Sequence, residues 1–320
     1  LFNRIWPWLK LLVGAGILGV LVWRVGSGAF LAGLRAIDGP ALAAALVIGL
    51  ATTVASAWRW CLVARRLGLP LKLGEAVTEY YRALLLNAVL PAGVLGDVHR
   101  AVSHGQQSGA MGRGVRAVFL ERFAGQVVLI AVAVVVLLAD PGLAGVLPGG
   151  DTAIAVVGVV LAAGALAAAA RWGRGLLDRS TLPGVMLLSA LTVVGHVTMY
   201  LVAIRASGLH APVTTLVPLV VLTLLVMGLP VNIGGYGPRE AFAAVAFGAA
   251  GLGAAHGVTA AVVYGVLTLV AALPGALVLF LRGQPNRARC VPKVATSAAS
   301  TSLPLPAVAR EGRPMTPDSV

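Results

Sequence analysis

The sequence predicts an all-α, polytopic integral membrane protein with six spans and two re-entrant broken-helix hairpins in an inverted-repeat arrangement. Three observations carry that expectation. The 320 residues are 59% apolar and only 11% charged, with a mean hydropathy of +0.94, whereas a soluble domain carries about a quarter charged residues. Six apolar runs reach the roughly 17 to 25 residues that a helix needs to cross a hydrocarbon core. Two further apolar stretches are broken near their middles by proline and glycine.

The six runs are residues 11–30, 40–63, 119–139, 152–170, 182–204 and 257–281. The first follows Arg4 and Lys10 and is expected to be an uncleaved span rather than a cleaved leader. The first broken stretch, 76–90, halts at Pro91, Ala92 and Gly93 and resumes after Gly96 and Asp97. The second, 213–229, halts at Pro230 and resumes at Pro238 after Gly234, Gly235, Tyr236 and Gly237. Broken backbone at membrane depth persists only inside protein or beside a wet cavity, so both stretches are read as hairpins that enter and leave on one side.

Net charge is +13, from 24 Lys and Arg against 11 Asp and Glu. The excess lies between apolar runs instead of forming a soluble basic face, which speaks for membrane topology and anionic lipid, and against nucleic acid. With the first hairpin opening inward and the second outward, the main basic clusters fall on the cytoplasmic side: Arg4 and Lys10; Arg65, Arg66 and Lys72; Arg113 and Arg116; Arg171, Arg174 and Arg179; Arg282, Arg287, Arg289 and Lys293. Arg24, Arg35 and Arg205 depart from the rule. Both termini are then cytoplasmic. The layout divides residues 1–282 into halves of about 1–140 and 151–282, each with two spans, a hairpin and a span, starting on opposite sides. Gly/Pro-interrupted segments at matching places of such halves point to a transporter's binding site. Residues 283–320, rich in Pro, Ser and Thr, are expected to be a disordered cytoplasmic tail.

Ionised groups inside apolar segments nominate a site because each costs several kcal/mol unless paired or hydrated. The candidates are Arg82, Asp97 and Arg100 around the first break, Glu121 and Arg122 at the start of the third span, and Arg239 and Glu240 after the second break. Asp97 and Arg100 are three apart and can share a helix face, whereas the adjacent Arg239 and Glu240 are expected to reach different partners. Asn87 stands upstream. Without Arg82 the charges cancel, so Arg82 is the expected surplus cation. The hairpin tips are expected to meet near the midplane, where crossed Arg–carboxylate pairs line a cleft and the spare cation holds a lipid phosphate. Gly234, Gly235 and Gly237 would allow close approach of a ligand, and Pro238 suits the first turn of a helix whose free N–H groups favour an anion. A second role is open to the same set: buried pairs that only staple broken helices together, with Asp97 as a helix N-cap.

Other features are read as structural. His196 is expected to be a hydrogen-bonded core histidine, with proton relay from its place one turn before Tyr200 as the alternative. Trp6, Trp8, Trp23, Trp58, Trp60 and Trp172 lie near span ends and read as an interface belt. Cys61 and Cys290 have no paired spacing and suggest neither a disulfide nor a zinc site. Of the histidines other than His196, only His99 and His104 share helical spacing, and no metal site is expected. No Walker loop or nucleophile elbow occurs, and neither a cofactor nor an enzymatic activity is expected.

Two of these stretches carry a family resemblance. Residues 91–100, PAGVLGDVHR, resemble the P-x-G-x-G-G-D-x-x-R signature of the lysylphosphatidylglycerol synthase transmembrane-region family, followed by the Glu121–Arg122 pair. Residues 230–240, PVNIGGYGPRE, resemble its P-x-x-x-G-G-x-G-x-R-E signature. Leu95 stands where the first glycine of the earlier pair is usual. The family includes the flippase part of the multiple peptide resistance factor, which moves aminoacylated phosphatidylglycerol between leaflets, and stand-alone members linked to envelope glycolipid or glycoprotein assembly. The resemblance implies lipid translocation in a bacterial cytoplasmic membrane, with Asp97, Arg100, Glu121, Arg122, Arg239 and Glu240 in the embedded site. A membrane phospholipid or lipid-linked molecule is the expected partner. Two other functions stay open: a non-catalytic partner of an envelope synthase, and a membrane transferase using a lipid-linked donor.

Overall fold

In a computed structural model of the chain, the described residues are 35, 37–89, 94–139, 180–228 and 238–281. The expected spans 11–30 and 152–170, both glycine-bearing tips, and the tail after 282 lie outside them. Among the described residues the structure is helical throughout: α1 (Gly39–Arg66), α2 (Leu73–Val89), α3 (Leu95–Gln107), α4 (Met111–Ala139), α5 (Leu182–Ala206), α6 (Val213–Met227), α7 (Pro238–Ala249), α8 (Ala254–Ala272) and α9 (Pro274–Leu281).

Among the described residues, four segments are long and apolar enough to cross a membrane: α1, α4, α5 and the stretch Ala254–Val278 through α8 into α9. They coincide with four of the six expected spans. The last, expected as one helix over 257–281, turns at Leu273 because Pro274 has no N–H to continue the ladder. α4 starts eight residues before the expected 119. Its first two turns carry Arg113 and Arg116 and extend the span as a polar end, so Glu121 and Arg122 lie in the third turn instead of at the helix start.

Packing follows what lipid permits. Lipid tails are as apolar as leucine, so helices associate through close contact and polar pairs. Accordingly the buried face of α1 repeats small residues at Ala41, Ala45, Gly49, Thr53 and Ala57, while Val47, Leu138 and Leu187 on α1, α4 and α5 stand 68%, 77% and 70% exposed, as lipid-facing positions should. α1 and α5 run against each other, with the Ser56 and Thr192 hydroxyls 3.4 Å apart. One apolar core gathers around Leu216, Phe247, Tyr200 and Tyr264. The other gathers around Trp60, Cys61 and Tyr80 on α1 and α2, with parts of α3 and α4.

The chain reverses between α2 and α3. Asn87 Oδ1 accepts from the Gly96 N–H at 2.7 Å, and Tyr80 lies under Arg100 farther from the break. A methyl group at Gly96 would overlap the carbonyl of Ala83, so only glycine lets the start of α3 lie on the α2 backbone. Leu95, on the other hand, is 41% exposed, which explains why the glycine pair tolerates a side chain at its first place. α6 and α7, either side of the second break, also pack together.

Gly96→Ala should therefore lower stability by about 1–3 kcal/mol, the usual cost of overpacking. Thermal unfolding in detergent measures this, and an unchanged midpoint would contradict the contact.

Candidate functional site

Glu121 lies in the third turn of α4 with no exposed surface. An ionised carboxylate there needs donors, and the neighbouring helices supply them. Arg59 on α1 donates to Oε1 through Nε at 3.0 Å and also through Nη2. Tyr80 on α2 donates its hydroxyl to the same oxygen at 3.1 Å. Arg100 on α3 donates Nη2 to Oε2 at 2.9 Å. Arg59 Nη1 continues to Ser189 Oγ on α5 at 3.0 Å. One carboxylate thus ties α1 to α5 together.

Asp97, in the first turn of α3, extends the network. It accepts from Arg100 Nη2 at 3.0 Å, from Arg122 Nη2 at 2.8 Å and from Asn87 Nδ2 at 3.0 Å. It is not the N-cap of α3: that place belongs to Val94, which makes no side-chain cap. The carboxylate is instead turned inward by two guanidinium groups. Arg100 has its guanidinium carbon 4.5 Å from the Trp60 ring centre and 4.2 Å from that of Tyr80, a stacking that suits a planar, weakly hydrated cation.

Three guanidinium groups, Arg59, Arg100 and Arg122, meet two carboxylates, so this group carries one net positive charge. Arg59 and Arg100 are 3% and 0% exposed, while the Arg122 side chain is 43% exposed. The surplus cation is not Arg82, as the sequence suggested. Arg82 lies one turn from Glu79 on α2 and pairs with it at 2.8 Å, the (i, i+3) geometry that helices favour.

Around the second break, Arg239 and Glu240 open α7, and Pro238 is its first residue. The two meet each other, Nη2 to Oε1 at 2.6 Å and Nε to Oε1 at 3.1 Å, against the expectation that neighbours face apart. Arg239 also lies 5.6 Å from the centre of the Tyr264 ring, and its Nη1 is 4.0 Å from Met227 Sδ at the end of α6.

His196 is hydrogen-bonded, with Nδ1 3.0 Å from the Tyr264 hydroxyl; Tyr200, its expected neighbour one turn on, instead stacks on Tyr264 at 4.7 Å. Ser189 and His196 are two turns apart on α5, so the two charged groups are joined along about 10 Å of that helix. A second link runs along α4, where Gln126 fills the space beside Gly228, the last described residue before the second break. Any side chain at Gly228 would displace Gln126.

Of the sequence candidates, Asp97, Arg100, Glu121 and Arg122 form one network, Arg239 and Glu240 pair nearby, and Arg82 stands apart. Gly234, Gly235 and Gly237 lie outside the described residues. Sequence reasoning missed Arg59, although an arginine inside the run 40–63 meets the same criterion. The tryptophans on either side gave that position the look of a membrane interface. Trp58 is 50% exposed, as a belt residue should be, but Trp60 is fully buried against His104 and Arg100. Tyr80 and Ser189 carry no signal in the sequence.

A family model described as the lysylphosphatidylglycerol synthase TM region matches residues 8–275. The chain belongs to that family. No curated protein and no solved structure matches it. The first stretch that resembles the lysylphosphatidylglycerol synthase TM region supplies Asp97 and Arg100 to the network, and the second supplies Arg239 and Glu240. The chain is thus a multi-pass membrane protein of a lipid-related family.

Glu121→Ala should destabilise the protein by roughly 3–5 kcal/mol, because Arg59 and Arg100 are left buried without their shared carboxylate. Detergent unfolding would measure it. A loss within about 0.5 kcal/mol, the usual range for surface changes, would mean that Glu121 does not hold the helices.

Proposed function

We propose that this protein translocates an anionic or zwitterionic phospholipid, or a glycophospholipid, between the leaflets of a bacterial cytoplasmic membrane. The observation that carries the reading is the network of Arg59, Asp97, Arg100, Glu121 and Arg122 within apolar helices. It keeps one net positive charge and presents Arg122 on its open side. A phosphate passing that side exchanges its hydration for a guanidinium, while the acyl chains stay among the exposed apolar faces of α1, α4 and α5. Membership in a lipid-related family supports the same class of substrate.

On this reading the two broken pairs, α2–α3 and α6–α7, are re-entrant hairpins at equivalent places of an inverted repeat, and both termini are cytoplasmic. The reversal between α2 and α3 supports it, and so does the matching placement of an arginine and a carboxylate just after each break. On the same reading the role is carriage, not enzymatic, which the pairing of Asp97 and Glu121 with arginines supports, since a catalytic base would need a carboxylate not already neutralised. An envelope-synthesis enzyme is the natural source or recipient of such a lipid.

The test is reconstitution into liposomes with fluorescent phospholipids, following leaflet exchange by chemical quenching. Arg122→Gln should slow exchange about tenfold, the equivalent of one lost charged hydrogen bond, with little change in unfolding temperature because the side chain is partly exposed. Unchanged exchange in a folded Arg122→Gln protein would reduce the network to a staple. Absence of exchange in the unaltered protein would favour a non-catalytic partner of a synthase.

A further inference from the structure

Around Arg100, Trp60 and His104, four buried nitrogen atoms have no hydrogen-bond partner. They are Arg100 Nε and Nη1, Trp60 Nε1 and His104 Nε2. Arg100 and Trp60 are 0% exposed and His104 is 7%. The three residues are in mutual contact. Arg100 lies 4.5 Å over the Trp60 ring, the Trp60 and His104 rings are 5.3 Å apart edge to face, and His104 follows Arg100 by one turn on α3.

Burying such a group unpaired costs about 1–3 kcal/mol, and native proteins leave few of them. Their chemistry is one-sided. Guanidinium and indole N–H groups only donate, and His104 Nε2 donates in one tautomer. The occupant they suit is an acceptor, and the network's net positive charge favours one that is negative. Glu75 and Glu79 on α2 are within electrostatic range of His104, but Glu75 is exposed and Glu79 is held by Arg82.

We infer that Trp60, Arg100 and His104 form an inner anion site between α1 and α3 that takes a phosphate-type oxyanion, distinct from the open side at Arg122. Arg100 serves both places, through Nη2 to the carboxylates and through Nη1 to the anion. The site does not rest on lipid transport. The phosphate can belong to a lipid headgroup or be free, and water bridging to the unpartnered Glu79 Oε2 is the competing occupant.

The test uses the full chain in phosphatidylcholine nanodiscs, titrated with inorganic phosphate at constant ionic strength by calorimetry and by tryptophan emission, with chloride as the control. A second arm measures phosphatidylglycerol retained after purification. Saturable phosphate binding is expected, weakened about tenfold by Trp60→Phe, which keeps the ring and removes the donor. His104→Leu should weaken it similarly. Retained phosphatidylglycerol displaced by phosphate assigns the site to a headgroup; phosphate binding without retained lipid assigns it to the free ion. Lack of saturable binding by the unaltered protein in either arm overturns the inference in favour of water, whatever the variants do. Equal binding by folded Trp60→Phe and His104→Leu overturns it too. Lipid exchange without phosphate binding would sink this site and leave transport standing, and the reverse result would sink transport alone.

Discussion

A carboxylate with no exposed surface, Glu121, sets the terms for the rest of this structure. In a low-dielectric interior it is tolerable only with donors close on every side, and Arg59, Tyr80 and Arg100 come from three different helices to provide them. The requirement works in both directions. Each arginine is as costly to bury alone as the carboxylate, so none of the helices can shift without exposing a charge to hydrocarbon. The apolar faces of these helices could slide over one another or over lipid at small cost. The ionic contacts fix their register.

The same contacts explain why the cations are arginines. Arg59 places three nitrogens on two partners belonging to two other helices, and Arg100 spreads its faces over Trp60 and Tyr80 while one edge reaches both carboxylates. A lysine ammonium offers neither the planar fork nor the aromatic stacking. The network has one cation more than it has carboxylates, and Arg122 sits at its exposed edge.

Much of this was legible in the sequence because ionised residues are so conspicuous in an apolar run. Asp97, Arg100, Glu121 and Arg122 stood out for that reason and do meet. Arg59 satisfied the same rule but was hidden between Trp58 and Trp60, which resemble a membrane-interface pair until Trp60 is seen to be wholly buried. Tyr80 and Ser189 are ordinary residues in ordinary helices. Only their positions make them ligands of the network. Arg82 shows the opposite case, a charge that looked available and is paired one turn away with Glu79. Arg239 and Glu240, adjacent at the start of α7, pair with each other although neighbours on a helix point apart.

The sequence by itself determined the membrane class, four of the spans visible here, the location of the two breaks and the family, since hydropathy, proline, glycine and motif spacing are properties of the chain read in order. Which arginine answers which carboxylate was decided only by the tertiary structure. Pairings such as Arg59 with Glu121, 62 residues apart, depend on how α1 to α5 are brought side by side, and apolar periodicity gives no information about that neighbourhood.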